Sequence, residues 1–208
     1  MLSGVRTETE RSTRTASARE KEALGRRPAD REKRGMEAHV QLRPVIESDL
    51  DALDAFGRSQ DDAGAFQWYG FAPSYVRRKF AEGTLLGPAG GTLTVVAEGD
   101  PAGTVDWFKA SWGREESACW RIGVAILPGM RGRGIGTQAQ RLLVDYLFAH
   151  TRAERIEAFT DKANRAERRA LEKIGFCEEG VLRSAQWRNG AWCDQVLYSI
   201  LRSSWSAP

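Results

Sequence analysis

The run Arg131-Gly132-Arg133-Gly134-Ile135-Gly136-Thr137 limits what this chain can become more than any other segment. Before it, Cys119–Leu127 reads as a strand that stops at Pro128. After it, Ile135, Ala139, Leu142, Leu143, Tyr146 and Leu147 recur at helical spacing, which predicts an amphipathic helix over Gly134–His150. A glycine turn that feeds straight into a helix leaves the first helical N–H groups unpaired and converging. Glycine removes the Cβ that would keep a ligand off the backbone. The helix dipole favours anions there by about 0.3–1 kcal/mol each. With Arg131 and Arg133 alongside, the segment suits a di-anionic pyrophosphate.

The surrounding sequence narrows the setting. The chain has 208 residues, 28% of them charged, and a mean hydropathy of −0.47. That suffices for one domain with a full core. No stretch approaches the ~18 apolar residues that a membrane span requires, and the polar N-terminus lacks a signal-peptide core. The expectation is a soluble, cytoplasmic protein. Residues 1–39 hold ten Lys/Arg and seven Asp/Glu, and the net charge of +3 belongs to them; the remainder is balanced. The folded part therefore lacks the basic surface of a dedicated nucleic-acid binder. Residues 1–39 carry few large apolar side chains and read as a disordered, Arg-rich tail, with a frayed helix near Ala18–Leu24 and an alternative translation start at Met36. Cys119, Cys177 and Cys193 are odd in number and widely spaced, so neither a disulfide framework nor a zinc site is expected. No metal is expected.

From Val40 onward the signals alternate. A short strand (Val40–Arg43) precedes a helix over Glu47–Gln60 with Ser48 as its cap. An aromatic loop, Phe66 to Phe71, is closed by Pro73. A short helix at Tyr75–Glu82 leads to strands at Thr92–Glu98, Gly103–Ser111 and Ala118–Leu127. After the long helix come a strand at Ile156–Thr160, a helix at Asn164–Ile174, and a hairpin around Asn189-Gly190. This order predicts one α/β (α+β) domain over residues 40–203, with a mostly antiparallel sheet and a short tail at 204–208.

The turn is neither of the two common phosphate loops. A Walker A motif needs a Lys that is missing here, and the third glycine of a Rossmann fingerprint would be spaced differently. The order R-G-x-G-x-G between strand and helix resembles instead the coenzyme A loop of the GNAT superfamily of N-acyltransferases. Asn164, Leu171-Glu172-Lys173-Ile174-Gly175-Phe176, Glu179 to Arg183, and the closing strand with Asp194 and Tyr198 extend the resemblance to the RimJ/RimL-type branch, over about residues 40–203.

That resemblance implies a central sheet of about seven strands flanked by about four helices, with a V-shaped splay between the fourth strand (Cys119–Leu127) and the fifth (Ile156–Thr160). It also implies an acetyl-CoA-dependent N-acetyltransferase whose co-substrate lies in the splay. Ile126 would offer its backbone N–H and C=O to the pantetheine arm. Arg131, Gly132, Arg133, Gly134, Ile135, Gly136 and Thr137 would hold the pyrophosphate. Asn164 would touch the coenzyme, cap its helix, or both. The acceptor would be a primary amine on a peptide N-terminus or a small molecule, and the protein a monomer or homodimer. A same-fold enzyme acting on an amino sugar or antibiotic, and an acyl-CoA-binding regulator without turnover, are the alternatives.

The proton-transfer residues depart from the family pattern. Leu171 stands where many members carry a Tyr acid, and Glu167 stands where RimJ/RimL relatives often place a Ser. The strand Cys119–Leu127 carries no carboxylate. The candidate bases are Asp106 on the preceding strand and Glu115 or Glu116 in the turn, with Asp106 and Glu116 as the catalytic assignment. The aromatic loop, with Trp107, Phe108, Trp112 and Trp187, is a candidate acceptor wall. An α-amine of pKa about 7.8 is roughly 10–15% neutral at pH 7, against about 0.04% for a Lys, so the sparse set of bases tilts the acceptor towards low-pKa amines.

Overall fold

Apolar side chains in Gly90–Ala97 and Ala118–Ile126 produce the strands that the sequence predicts. The computed structural model, which describes residues 39–71 and 74–205, joins them into one eight-stranded sheet. The expectations for residues 1–38, for Pro73 and for 206–208 lie outside the described residues.

In chain order the elements are β1 (Val40–Pro44), the one-turn helices α1 (Leu50–Leu53) and α2 (Gln60–Ala63), α3 (Tyr75–Ala81), β2 (Leu86–Gly87), β3 (Gly90–Ala97), β4 (Asp100–Ser111), β5 (Ala118–Ile126), α4 (Ile135–His150), β6 (Arg155–Asp161), α5 (Arg165–Lys173), β7 (Cys177–Arg188) and β8 (Ala191–Leu201). The sheet runs β1-β3-β4-β5-β6-β8-β7, with the two-residue β2 added beside β3. Neighbours pair antiparallel except β5 and β6, which are parallel. The β7–β8 hairpin turns at Asn189 and Gly190, both at positive φ, as its Asn-Gly signal demands.

Strand alternation sorts the core onto two faces. Leu93, Val95, Ala97, Val105 and Ile122 pack with Ile135, Ala139, Leu143 and Leu147 of α4 and Leu171 of α5. Thr94, between Leu93 and Val95, points the other way and donates to Asp49 at 2.8 Å. On that side Val45, Leu50, Leu53 and Leu85 form a smaller cluster with Phe56, Val76 and Phe80. Among the described residues no helix is long and apolar enough to cross a membrane.

Three details differ from the sequence reading. The expected helix at Glu47–Gln60 is broken into a 3₁₀ turn, α1 and a second 3₁₀ turn. Leu50, Leu53 and Phe56 are spaced by threes, the period of a 3₁₀ helix rather than an α-helix. Ser48 is not the cap: Ile46 occupies that position, and its N–H donates to Asp49 Oδ2 at 3.1 Å. Trp205, placed in a tail by the sequence, packs on Phe148 and donates from its indole nitrogen to Asp145 at 2.9 Å.

Candidate active site

Helix α4 begins without a side-chain cap. Its N-cap is Gly134, held at φ +78°, and among the described residues no acidic side chain stands in the first turn. Intrahelical bonding starts at Gln138, whose N–H donates to the Gly134 carbonyl at 3.1 Å. The N–H groups of Ile135, Gly136 and Thr137 therefore open outward from the helix head. Gly132, at φ +74°, turns the preceding loop without a Cβ in the way. Gly136 lets this first turn sit close against β5: a Cβ there would lie 3.4 Å from Ile126 Cγ1.

Beside this helix head the sheet divides. Strands β5 and β6 pair only through Trp120↔Ile156, Arg121↔Glu157 and Ile122↔Ala158. From Gly123 and Phe159 onward they part, which is the splay expected from the resemblance. The Leu127 N–H donates to Ala102 on β4 at 2.8 Å. Backbone groups alternate along an antiparallel pair, so Val124 and Ile126 turn their N–H and C=O towards the gap. Gln67 Nε2 donates to the Val124 carbonyl at 2.8 Å, and Arg131 Nε to the Ile126 carbonyl at 2.8 Å. The two N–H groups still face the opening.

A groove of about 380 Å³ connects these parts, from the α4 head past Ile126 and Val124 to α5. A smaller cavity of about 160 Å³ continues it through the splay, towards Tyr69, Phe159, Gln186 and Gln195. Beside the smaller cavity Asp161 and Arg188 form a buried ion pair at 2.5 Å. The Arg188 guanidinium also lies 5.3 Å from the centroid of the Phe66 ring and donates to the Phe66 carbonyl at 3.3 Å, fixing the aromatic loop against β7.

Two carboxyls near the splay titrate unusually. Burial raises the Asp106 carboxyl above the ordinary carboxylate range, and among the described residues it has neither an ion pair nor a hydrogen-bond donor. It sits over Gly123, where a Cβ would come within 2.8 Å of its Oδ2. Burial pushes Glu167, on the first turn of α5, up to about 7, partly offset by a hydrogen bond from Gln140.

The structure gathers most of the expected coenzyme residues. Ile126, Arg131, Gly132, Gly134, Ile135, Gly136, Thr137 and Asn164 all line the larger groove. Three roles need correction. The Ile126 carbonyl is already engaged by Arg131, which leaves its N–H as the free group. Arg133 points away and pairs with Glu98 at 2.7 Å, so its charge does not bear on the groove. The Arg131 guanidinium is spent on the backbone carbonyls of Ile126, Asp61 and Asp62, tying α2 to the end of β5, while its charge remains at the groove wall. Asn164 accepts from the Glu167 N–H at 3.2 Å, the capping role, and also lines the groove.

For the catalytic pair the outcome is divided. Asp106 lies on the sheet face shared with Gly123, next to the splay, but it lines neither the groove nor the smaller cavity; it lines a separate cavity of about 530 Å³ beneath α3. Glu116 is exposed in the turn before β5, at the opposite end of that strand from the splay, and lines neither compartment. At about 3.3 Å per residue, the seven residues from Glu116 to Gly123 put it roughly 20 Å away. Of the aromatic candidates, Phe66 and Tyr69 reach the smaller cavity, while Trp107 is core. Sequence reasoning missed Gln67, Asp161, Gln186, Arg188 and Gln195, which only the tertiary fold brings together. Leu171 is wholly buried in the core and lines neither compartment.

Comparison with known proteins agrees with this geometry. Residues 39–177 match the family described as the acetyltransferase (GNAT) domain. A Bacillus subtilis relative named "Probable N-acetyltransferase YjcK" is 39% identical over 99 residues, covering 48% of this chain and 54% of its own. Spermidine N(1)-acetyltransferase of Escherichia coli K12 is 25% identical over 115 residues, covering 55% and 60%. The chain thus spans about half the length of the curated relatives it matches. A crystal structure of RimL, a ribosomal L7/L12 α-N-protein acetyltransferase in complex with coenzyme A, superposes with a TM-score of 0.65 at 19% identity, over 78% of this chain and 93% of that one. At that identity the likeness is one of fold.

Proposed function

Since the chain belongs to the acetyltransferase (GNAT) domain family, we propose that it transfers an acetyl group from acetyl-CoA to a primary amine by direct attack on the thioester. One observation carries the reading: the uncapped head of α4 opens onto the same groove that runs into the gap between β5 and β6. The residues present suit the coenzyme. The N–H groups of Ile135, Gly136 and Thr137, with the nearby Arg131 charge, match a diphosphate. The N–H groups of Val124 and Ile126 match the amide carbonyls of an extended pantetheine arm, which would lie in the gap like a further strand.

The remaining roles follow from position. An amine in the smaller cavity would meet the acetyl carbon at the splay, where holding both reactants in register lowers the barrier. A free N–H of β5 faces the place where the oxyanion develops. Asp106, raised by burial and lying across Gly123 from this point, would take the ammonium proton through a water. The acceptor compartment is small. Its Asp161 carboxylate is neutralised by Arg188, and Gln67, Gln186 and Gln195 offer amides. That lining favours the α-amine of a peptide, whose backbone amides pair with glutamines, over a polycation that needs several free carboxylates.

The test is calorimetry with coenzyme A. A Cβ at Gly134 would meet no protein atom within 4 Å, so Gly134→Asp puts bulk and negative charge into the ligand's space, and Gly134→Asn, which carries the same backbone strain at φ +78° without the charge, is the control for its cost to the fold. The Gly134→Asp variant should bind at least tenfold more weakly, about 1.4 kcal/mol. Unchanged affinity overturns the coenzyme site. Release of free thiol from acetyl-CoA across a panel of peptides, amino sugars and polyamines then identifies the acceptor class, and no release with any amine overturns the enzyme reading.

A further inference from the structure

The larger groove and the smaller cavity share five lining residues: Phe66, Gln67, Val124, Asn164 and Glu167. Glu167 is the one ionisable side chain among them. Where two compartments meet is where a group passing from a molecule in one to a molecule in the other must be handed over.

The local structure explains why this carboxyl points there. Glu167 is the third residue of α5, from which a glutamate commonly folds back onto the N-cap N–H. Here the N-cap N–H, that of Asn164, already donates to the Asp161 carbonyl at 2.8 Å. Freed from capping, the Glu167 side chain turns inward. Its Oε2 lies 3.4 Å from Nε2 of Gln140, a buried α4 residue that also donates to the Gly136 carbonyl at 3.3 Å. One glutamine thus ties the carboxyl to the helix head that frames the groove.

We infer that Glu167 is the proton donor to the sulfur that leaves the acetyl group. The inference rests on the coenzyme reading above. As the amine nitrogen bonds to the acetyl carbon, the carbon–sulfur bond breaks and its electron pair stays on sulfur. The Glu167 O–H proton passes to that sulfur. The nitrogen gives up two protons through Asp106 or water, one from its ammonium form before attack and one once the carbon–nitrogen bond has formed; after the products depart solvent returns one to Glu167, and the other is released. Charge and protons balance without a further reactant. A carboxyl held at about 7 is half protonated at neutral pH, and a thiolate of pKa about 8.5 is the stronger base, so the transfer runs downhill. The other titratable groups lining the two compartments are Arg131 from the loop before α4, Lys173 further along α5, Asp161 of β6 paired with Arg188 of β7, and Tyr69 of the aromatic loop. Gln140 is the neutral partner from α4.

Coenzyme A itself is the first probe. Its thiol is titrated by thiolate absorbance while bound to the wild type and to Glu167→Gln. With the carboxylate beside it the bound thiol should titrate at least one pH unit higher in the wild type than in the variant. With acetyl-CoA and the amine found active in the panel, Glu167→Gln should lower kcat by about 100-fold, leave KM for acetyl-CoA within about twofold, and remove the alkaline limb over which wild-type kcat falls as Glu167 loses its proton. Retained coenzyme affinity with an unshifted thiol and an unchanged pH profile overturns this role alone. Absence of coenzyme binding in the wild type overturns the site and this role together.

Discussion

Asp49 and Glu167 are both carboxyls drawn out of bulk water, yet only Asp49 meets a cation. Burial alone would raise Asp49, but hydrogen bonds from Arg43 at 2.6 and 2.7 Å, from Thr94 and from the Ile46 N–H bring it below its ordinary value. Its contribution to stability is present above the unfolded-state pKa near 3.9 and is lost as pH falls through the lower folded value. Glu167 has the opposite sign. Between the ordinary value of 4.5 and about 7 the folded chain holds a proton that the unfolded chain has released, so stability falls as pH rises across that window. At pH 8 the linkage limit is about 3 kcal/mol, and water in the groove reduces this to about 1–2 kcal/mol. Glu167→Gln should therefore unfold at a higher denaturant concentration than the wild type at pH 8 and near the same concentration at pH 4.5. Parallel urea melts at the two pH values check this. A variant that loses activity and gains stability is the mark of a group placed for chemistry at a cost to the fold.

Elements carry a different kind of information. Arg131 spans from the end of β5 to the carbonyls of Asp61 and Asp62, so the coenzyme loop and the one-turn helix α2 are tied by one side chain. Arg131→Ala should cost about 0.5–1.5 kcal/mol in thermal or urea unfolding, since water can replace the lost donor at these exposed carbonyls but not the tie between the segments. Arg131→Lys should rescue only part of that, because a single ammonium cannot reproduce the fork. Much of this architecture was legible beforehand. Helical spacing in Ile135–Leu147, the strand ahead of Pro128 and the Asn-Gly turn each state a local preference that the fold obeys. The stretch after Val45 was not legible, because the buried Asp49 is a tertiary event that organises backbone no local pattern describes. Arg131 read as a phosphate ligand, since its carbonyl partners lie about seventy residues away in sequence. Glu167 read as a departure from the family pattern, standing where a Ser is frequent, and its burial arises only where α5 meets Gln140 of α4.

At the scale of the whole molecule the sheet is one continuous order of strands, but its two parts meet through a narrow ladder. The β1-β3-β4-β5 side and the β6-β8-β7 side are joined within the sheet by the three parallel pairs from Trp120 to Ile122. The antiparallel ladders on either side are longer, nine pairs between β4 and β5 and seven between β6 and β8. Coenzyme A at 100 times its dissociation constant should stabilise the fold by about 2.7 kcal/mol, read as a higher melting temperature. The gain should appear first as slower amide exchange at Val124 and Ile126, whose N–H groups face the gap.

That short ladder makes the coenzyme a temporary keystone. A seam three rungs long leaves the halves of the protein freer to shift against each other than either is to deform within itself, and a molecule wedged into the open end would lock them in one register. Each turnover would then begin by closing an arch and end by loosening it.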